Sequence, residues 1–174
     1  MAFISISITK NHPLILGKGG FGRQLADWLS AEGWGEAEFL DDSAPGCVGG
    51  LRDYADPKLL KPGRPAFVAL GNNALRVELL QKLAAAGYDT PVFISDMAAV
   101  SPSAVLEPGC VILPQAYVGA DAHLGVGCII NGGAIVDHEA VLGRGVHVAP
   151  GGIVKAGAEV EALTKVDSGE IIKK

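Results

Sequence analysis

The sequence is poor in aromatic residues, at 6% of 174 positions, and holds only three cysteines, Cys47, Cys110 and Cys128, with no CxxC pair among them. So small and scattered a set offers neither a disulfide framework nor a thiolate metal site, and it suits a reducing compartment. Basic charge is also scarce. Fourteen Lys and Arg against nineteen Asp and Glu give a net charge of -5, and the basic residues come singly. No stripe exists to track a phosphate backbone, so nucleic acid is not an expected partner. No apolar run reaches the roughly 20 residues needed to cross a bilayer. The opening MAFISISITK alternates apolar and polar residues without a basic start, a long apolar core or a small-residue cleavage site. The expected setting is the cytoplasm, with no membrane partner.

What the chain has in quantity is glycine, 24 residues, within a composition that is 49% hydrophobic. That combination describes a backbone that turns often and packs small side chains. From Val100 every sixth position is aliphatic: Val100, Leu106, Ile112, Val118, Leu124, Ile130, Val136, Leu142, Val148, Val154, Val160, Val166 and Ile172. A period of six fits neither a helix nor a simple alternating strand. Four places after these aliphatics stands a small or modest residue in most repeats, as in Ala104, Cys110, Ala116, Ala122, Cys128 and Ala134. Three hexads make one triangular coil, so residues 18 apart stack at about 4.8 Å. Residues 99–174 are therefore expected to form a left-handed parallel β-helix of four coils. Cys110 and Cys128 then share one inward column as small buried thiols.

Residues 1–98 read as a small Rossmann-like α/β unit. Strands are expected at 13–16, 38–40, 66–70 and 92–94, with helices at 23–31 and 74–86, and this alternation implies a parallel sheet. Gly17-Lys18-Gly19-Gly20-Phe21-Gly22 falls between a strand and a helix, where a phosphate can approach backbone N–H groups at the positive helix end. The lesser alternative is a tight turn that binds nothing. Asp41-Asp42 ends the next strand, the place where dinucleotide folds hold a ribose. The unit is about half the size of a full dinucleotide domain, so a nucleotide or nucleotide-sugar fits it better than NAD. Asn72, in Gly71-Asn72-Asn73, faces the same crevice and also reads as a helix N-cap.

In the β-helix, Asp137-His138-Glu139 stands out. His138 comes two residues after an inward aliphatic, which puts it at a corner pointing outward, and the flanking carboxylates can orient its imidazole or raise its basicity. It is the candidate general base, while His123, lacking such neighbours, reads as structural. No metal site is expected.

With these motifs in place, the sequence resembles the sugar O- and N-acetyltransferases that join a Rossmann-like domain to a left-handed β-helix, the sialic acid O-acetyltransferase and bacillosamine-pathway type. The carriers are GKGGFG at 17–22, FLDD at 39–42, ALGNNALR at 69–76, SPSA at 101–104 and NGGAIVDHEAVLGRGVHVAPG at 131–151. The resemblance implies a homotrimer that moves an acetyl group from acetyl-CoA directly to a UDP-amino sugar. It makes His138 the base and Glu139 the acid that tunes it, puts His147 near the acetyl-CoA thioester and Asn131 beside the sugar, and assigns Gly17, Gly19, Gly20, Asp41 and Asp42 to the nucleotide-sugar. In the transfer so implied, backbone N–H groups near Ala156 stabilise the oxyanion. The chain departs from the pattern at Gly19 and Phe21, where the family commonly has Ser and His, and after Lys155-Ala156-Gly157-Ala158-Glu159, where the family usually continues for several hexads. The second departure leads to an expectation of weak coenzyme binding. The alternative reading is a non-catalytic sugar-nucleotide-binding or assembly subunit.

Overall fold

The computed structural model describes residues 12–59, 61 and 63–174, so the opening MAFISISITK read above for targeting features lies outside the described residues. The α/β unit comprises β1 (Leu14–Leu16), α1 (Gly20–Ala31), β2 (Glu38–Leu40), β3 (Ala66–Val68) and α2 (Asn73–Ala86). Its sheet is parallel in the order β2-β1-β3, with Leu16 beside both Leu40 and Val68. β1 and β3 are wholly buried, as expected of parallel strands covered on both sides. Gly87, at φ +95°, caps α2 in the left-handed conformation that closes a helix without a Cβ penalty.

Two-residue strands then recur every six residues: β4 (Phe93–Ile94), β5 (Ala99–Val100), β6 (Val105–Leu106), β7 (Val111–Ile112), β8 (Tyr117–Val118), β9 (His123–Leu124), β10 (Ile129–Ile130), β11 (Ile135–Val136), β12 (Val141–Leu142), β13 (His147–Val148), β14 (Ile153–Val154), β15 (Glu159–Val160), β16 (Lys165–Val166) and β17 (Ile171–Ile172). They stack into three parallel sheets: a first face β4-β7-β10-β13-β16, a second face β5-β8-β11-β14-β17 and a third face β6-β9-β12-β15. The result is a three-sided left-handed parallel β-helix. Its interior is the predicted column of aliphatics alternating with small residues, with Cys110 and Cys128 fully buried. Both thiols donate to carbonyls of the next corner, Cys110 Sγ to Gly125 at 3.3 Å and Cys128 Sγ to Gly143 at 3.2 Å.

One strand expectation is corrected. The strand at 92–94 does not close the α/β sheet; as β4 it pairs with β7 and opens the prism. Ile94 lies six residues before Val100, so it continues the hexad period, and Phe93 N–H donates to the Cys110 carbonyl at 2.9 Å.

The two parts share a core. Ile15, Leu25, Leu29, Phe67 and Ala69 pack with Phe93, Val111 and Ile129, which point outward from the first face. Burying each of these three contributes about 1.5–3 kcal/mol. α2 runs along the corner between the third and first faces. Leu80 lies against Gly109 and Gly127, and Val77 against Gly145, so closely that a Cβ on any of the three glycines would approach within 2.7 Å. Farther along, Asn73 Nδ2 donates to the Leu163 carbonyl at 2.8 Å. Residues 73 to 80 rise about 10 Å along the helix, close to two rungs of about 4.8 Å. Successive helical turns therefore meet successive coils.

Candidate active site

The glycine-rich loop divides into two pairs. A Cβ on Gly22 would lie 1.9 Å from the Gly17 carbonyl, and one on Gly17, at φ +100°, would lie 2.8 Å from the Ala69 carbonyl oxygen. These two are required for the helix to approach the sheet. Gly19 and Gly20 are different, because a Cβ on either would meet nothing within 4 Å. They leave space in front of the α1 N-terminus, where Gly19 is the N-cap and no side chain caps the helix. The first N–H groups and the positive end of the dipole thus face an open crevice suited to an anion. Gly71 borders the same strand ends with similarly open space, and Asn72 caps α2 by accepting from Leu75 N–H at 3.0 Å.

The acidic pair first organises the crevice. Asp41 accepts from Lys18 N–H at 2.7 Å through one oxygen and from Ser43 N–H and Ala44 N–H, both at 2.9 Å, through the other. The Lys18 amide, then those of Ser43 and Ala44, hold the Asp41 carboxyl down at about 2. Asp42 uses one oxygen to accept from Leu51 N–H at 2.8 Å. Lys18, absent from the sequence-based set, folds away from the loop mouth to donate to the Pro45 carbonyl at 2.7 Å.

Asn131 and His147 come together on the β-helix. Asn131 follows β10, and His147 is the outward residue of β13, stacked on Ile129. Asn131 Oδ1 accepts from Gly132 N–H at 2.8 Å, which turns its amide nitrogen towards His147 Nε2 at 3.4 Å. Burial, then the positive charges of Arg76 and Lys165, holds the His147 imidazole down at about 4. It is neutral near pH 7, and the Asn131 amide fits a tautomer with the proton on Nδ1.

His138 occupies the corner between the second and third faces with its side chain 57% exposed, and its Nδ1 lies 3.3 Å from Glu139 Oε2. Glu139 stands at φ +57°. Glycine holds the equivalent left-handed corner position at 109, 127, 133, 145, 151, 157 and 169, and Gln115, Asp121 and Leu163 hold it on other rungs. A non-glycine residue is less favoured there, and at 139 it sets a carboxylate beside the His138 ring. Directly below lies Ala156, 18 residues on, with the Gly157 N–H donating to the His138 carbonyl at 3.0 Å. Base candidate and oxyanion-donor candidate are therefore consecutive in one corner column.

The single chain thus gathers the expected residues into three groups: Gly17, Gly19, Gly20, Asp41, Asp42 and Asn72; Asn131 with His147; and His138, Glu139 and Ala156. The corner carrying His138 lies opposite the first face, which the α/β unit covers. Arg76 is what sequence reasoning passed over: it was visible only as one letter of ALGNNALR, yet it is 1% exposed and bonds to both parts of the molecule. Among the described residues, no three His, Cys, Asp or Glu side chains cluster as a metal site would need, and no helix is long and apolar enough to cross a membrane.

A family model described as the PglD N-terminal domain matches residues 14–83. The acetyltransferase domain of PglB from Neisseria gonorrhoeae FA1090, solved in complex with acetyl coenzyme A, is 33% identical, with a TM-score of 0.75 over 93% of this chain and 87% of that one. PerB from Caulobacter crescentus, solved in complex with CoA and GDP-perosamine, is 28% identical with a TM-score of 0.82 over 94% and 89%. WeeI from Acinetobacter baumannii AYE shares the fold, at 17% identity and a TM-score of 0.53.

Proposed function

Since the chain belongs to the family of sugar acetyltransferases that includes the PglB acetyltransferase domain, we propose that it transfers the acetyl group of acetyl-CoA to an amine or hydroxyl of a nucleotide-linked sugar, with a UDP-amino sugar the leading acceptor. The observation that carries the site assignment is the His138-Glu139 pair. An exposed imidazole is held 3.3 Å from a carboxylate whose backbone adopts a conformation otherwise given mostly to glycine.

In this reading His138 takes the proton from the acceptor as its lone pair attacks the thioester carbonyl. The tetrahedral oxyanion accepts from the Ala156 N–H. Collapse expels the CoA thiolate, which recovers the proton from the imidazolium. No acyl-enzyme forms, because among the described residues no serine or cysteine stands beside the base. Asn131 lies beside the sugar, the neutral His147 contacts the coenzyme, and Gly17, Gly19, Gly20, Asp42 and Asn72 hold the nucleotide, with Asp41 shaping their loop.

A homotrimer fits the separation of His138 from the α/β unit. On the first face the outward residues are apolar where the α/β unit covers them, at Phe93, Val111 and Ile129, and polar below, at His147 and Lys165. The second face keeps apolar outward residues on every rung, Ala99, Tyr117, Ile135, Ile153 and Ile171. By the same logic a second copy covers that stripe and brings its crevice to this His138, and cyclic symmetry closes the ring. Light scattering should give three copies at micromolar concentration, and a monomer would count against this assembly.

The testing experiment follows acetyl-CoA consumption against a panel of UDP- and GDP-linked amino sugars. Turnover confined to UDP-sugars supports the leading acceptor. The likeness to PerB favours a GDP-linked sugar as the second reading, and turnover confined to that class would establish it.

A further inference from the structure

Arg76, in the first turn of α2, is a buried cation without a carboxylate partner among the described residues. Its guanidinium is spent on three backbone carbonyls from three different segments: Nε donates to Gly127 at 2.9 Å, Nη2 to Gly145 at 2.7 Å and Nη1 to Leu70 at 2.8 Å. Gly127 and Gly145 are the left-handed corner residues of two stacked coils, at φ +70° and +68°. Leu70 follows β3 and leads into Gly71 and the Asn72 cap, at the lip of the nucleotide crevice. Its side chain also lies 2.7 Å from where a Gly17 Cβ would stand. Desolvation opposes burying such a charge, and it lowers the Arg76 pKa to about 10. Apolar residues would fill the same contact at less cost, as Val77 does at the next position and Leu80 one turn on.

Each carbonyl that Arg76 grips stands next to a site residue along the chain. Gly145 is two residues before His147, Gly127 four before Asn131, and Leu70 two before Asn72. We propose that Arg76 is a positioning residue of the acyl-transfer site, its planar fork fixing the crevice that holds the nucleotide against the two coils that present Asn131 and His147. This rests on the proposed reaction for its functional meaning, but the geometry it asserts is independent of that reaction. A guanidinium suits the task because its donors diverge in a fixed plane, so three segments are held at set angles. An ammonium has no such plane. Misplacement by an ångström between a bound acceptor and its donor suffices for about a hundredfold loss in rate.

The experiment compares Arg76→Lys and Arg76→Met with Leu83→Ala in the full chain. Leu83→Ala empties the core of the α/β unit two turns beyond Arg76, at a fully buried residue clustered with Leu14, Leu16 and Leu40. It serves as a folded but destabilised control. All are assayed well below their melting temperatures, and the His147 and Asn131 side-chain resonances are recorded by NMR. Positioning predicts that Arg76→Lys, though folded, loses about 10- to 100-fold in kcat/KM and displaces both sets of resonances, while Leu83→Ala lowers the melting temperature and leaves both readouts near wild type. In Arg76→Met the loss of the nearby cation should also raise the His147 titration midpoint; should this variant not fold, Arg76→Lys decides the matter. Unchanged kinetics and unchanged His147 and Asn131 resonances in folded Arg76→Lys would overturn the proposal. A wild type without transfer activity would instead defeat the reaction, leaving the resonance test of Arg76 to stand or fall by itself.

Discussion

The two candidate-site histidines of the β-helix are set by opposite means. His138 stands on a bare prism edge, and its environment is local: the adjacent Glu139, held at positive φ, and the small corners above and below it. His147 stands on a sheet face at the margin of the α/β unit, and its environment is imported: burial, the Arg76 charge from α2 and an amide from a strand one rung away. A residue meant to exchange protons with an incoming substrate is best left exposed beside a carboxylate. A residue meant to stay neutral and hydrogen-bond is best partly buried beside cations. The same side chain is given two environments by its place on the prism.

The sharpest way to break this comparison is to exchange the consequences. His138→Ala should lower the transfer rate by about 10²- to 10⁴-fold while nucleotide-sugar affinity, read by calorimetry, stays near wild type. Near-full turnover in that variant would remove His138 from the reaction. His147→Ala should act on the other axis, raising the apparent KM for acetyl-CoA about tenfold, the worth of one hydrogen bond, with a smaller change in kcat. A loss confined to kcat would make the two histidines alike and end the contrast.

Smaller effects sharpen it. Glu139→Gly relieves the left-handed backbone, so the protein should gain about 0.5–1 kcal/mol and melt a few degrees higher, while losing rate because the imidazole loses its carboxylate. A variant that is both destabilised and fully active would show that Glu139 serves the fold alone. The smallest effect is in pH. The folded His147 pKa of about 4 lies below the unfolded value near 6.5, so the unfolded chain binds more protons between these limits. The stability this contributes is present above pH 6.5 and is lost as pH falls towards 4. His147→Gln should flatten that limb in urea titrations by at most one proton.

The β-helix was almost wholly legible in the sequence because its period carries the information: each hexad repeats the same inward aliphatic and inward small residue, and the observed interior follows that series rung by rung. The α/β elements were legible to within a few residues from their glycine and cap signals. The strand at 93–94 was placed in the wrong sheet, since a short apolar run does not say which edge it will join, although its distance of six from Val100 held the answer. At the site, the corner position of His138 followed from counting hexads. That Asp41 spends its carboxylate on loop amides did not, because those partners lie two, three and 23 residues away and only folding brings them together.

By itself, then, the sequence determined what recurs or is local: the prism, its inward columns, the glycine-rich turn and the corner where His138 meets Glu139. Only the tertiary structure decided how α2 lies on the prism, and with it the clamp of Arg76, the neutrality of His147 and the placing of His138 opposite the face that the α/β unit covers. Those properties depend on contacts between segments 51 and 69 residues apart, and on a desolvation that no single residue type specifies until something else has covered it.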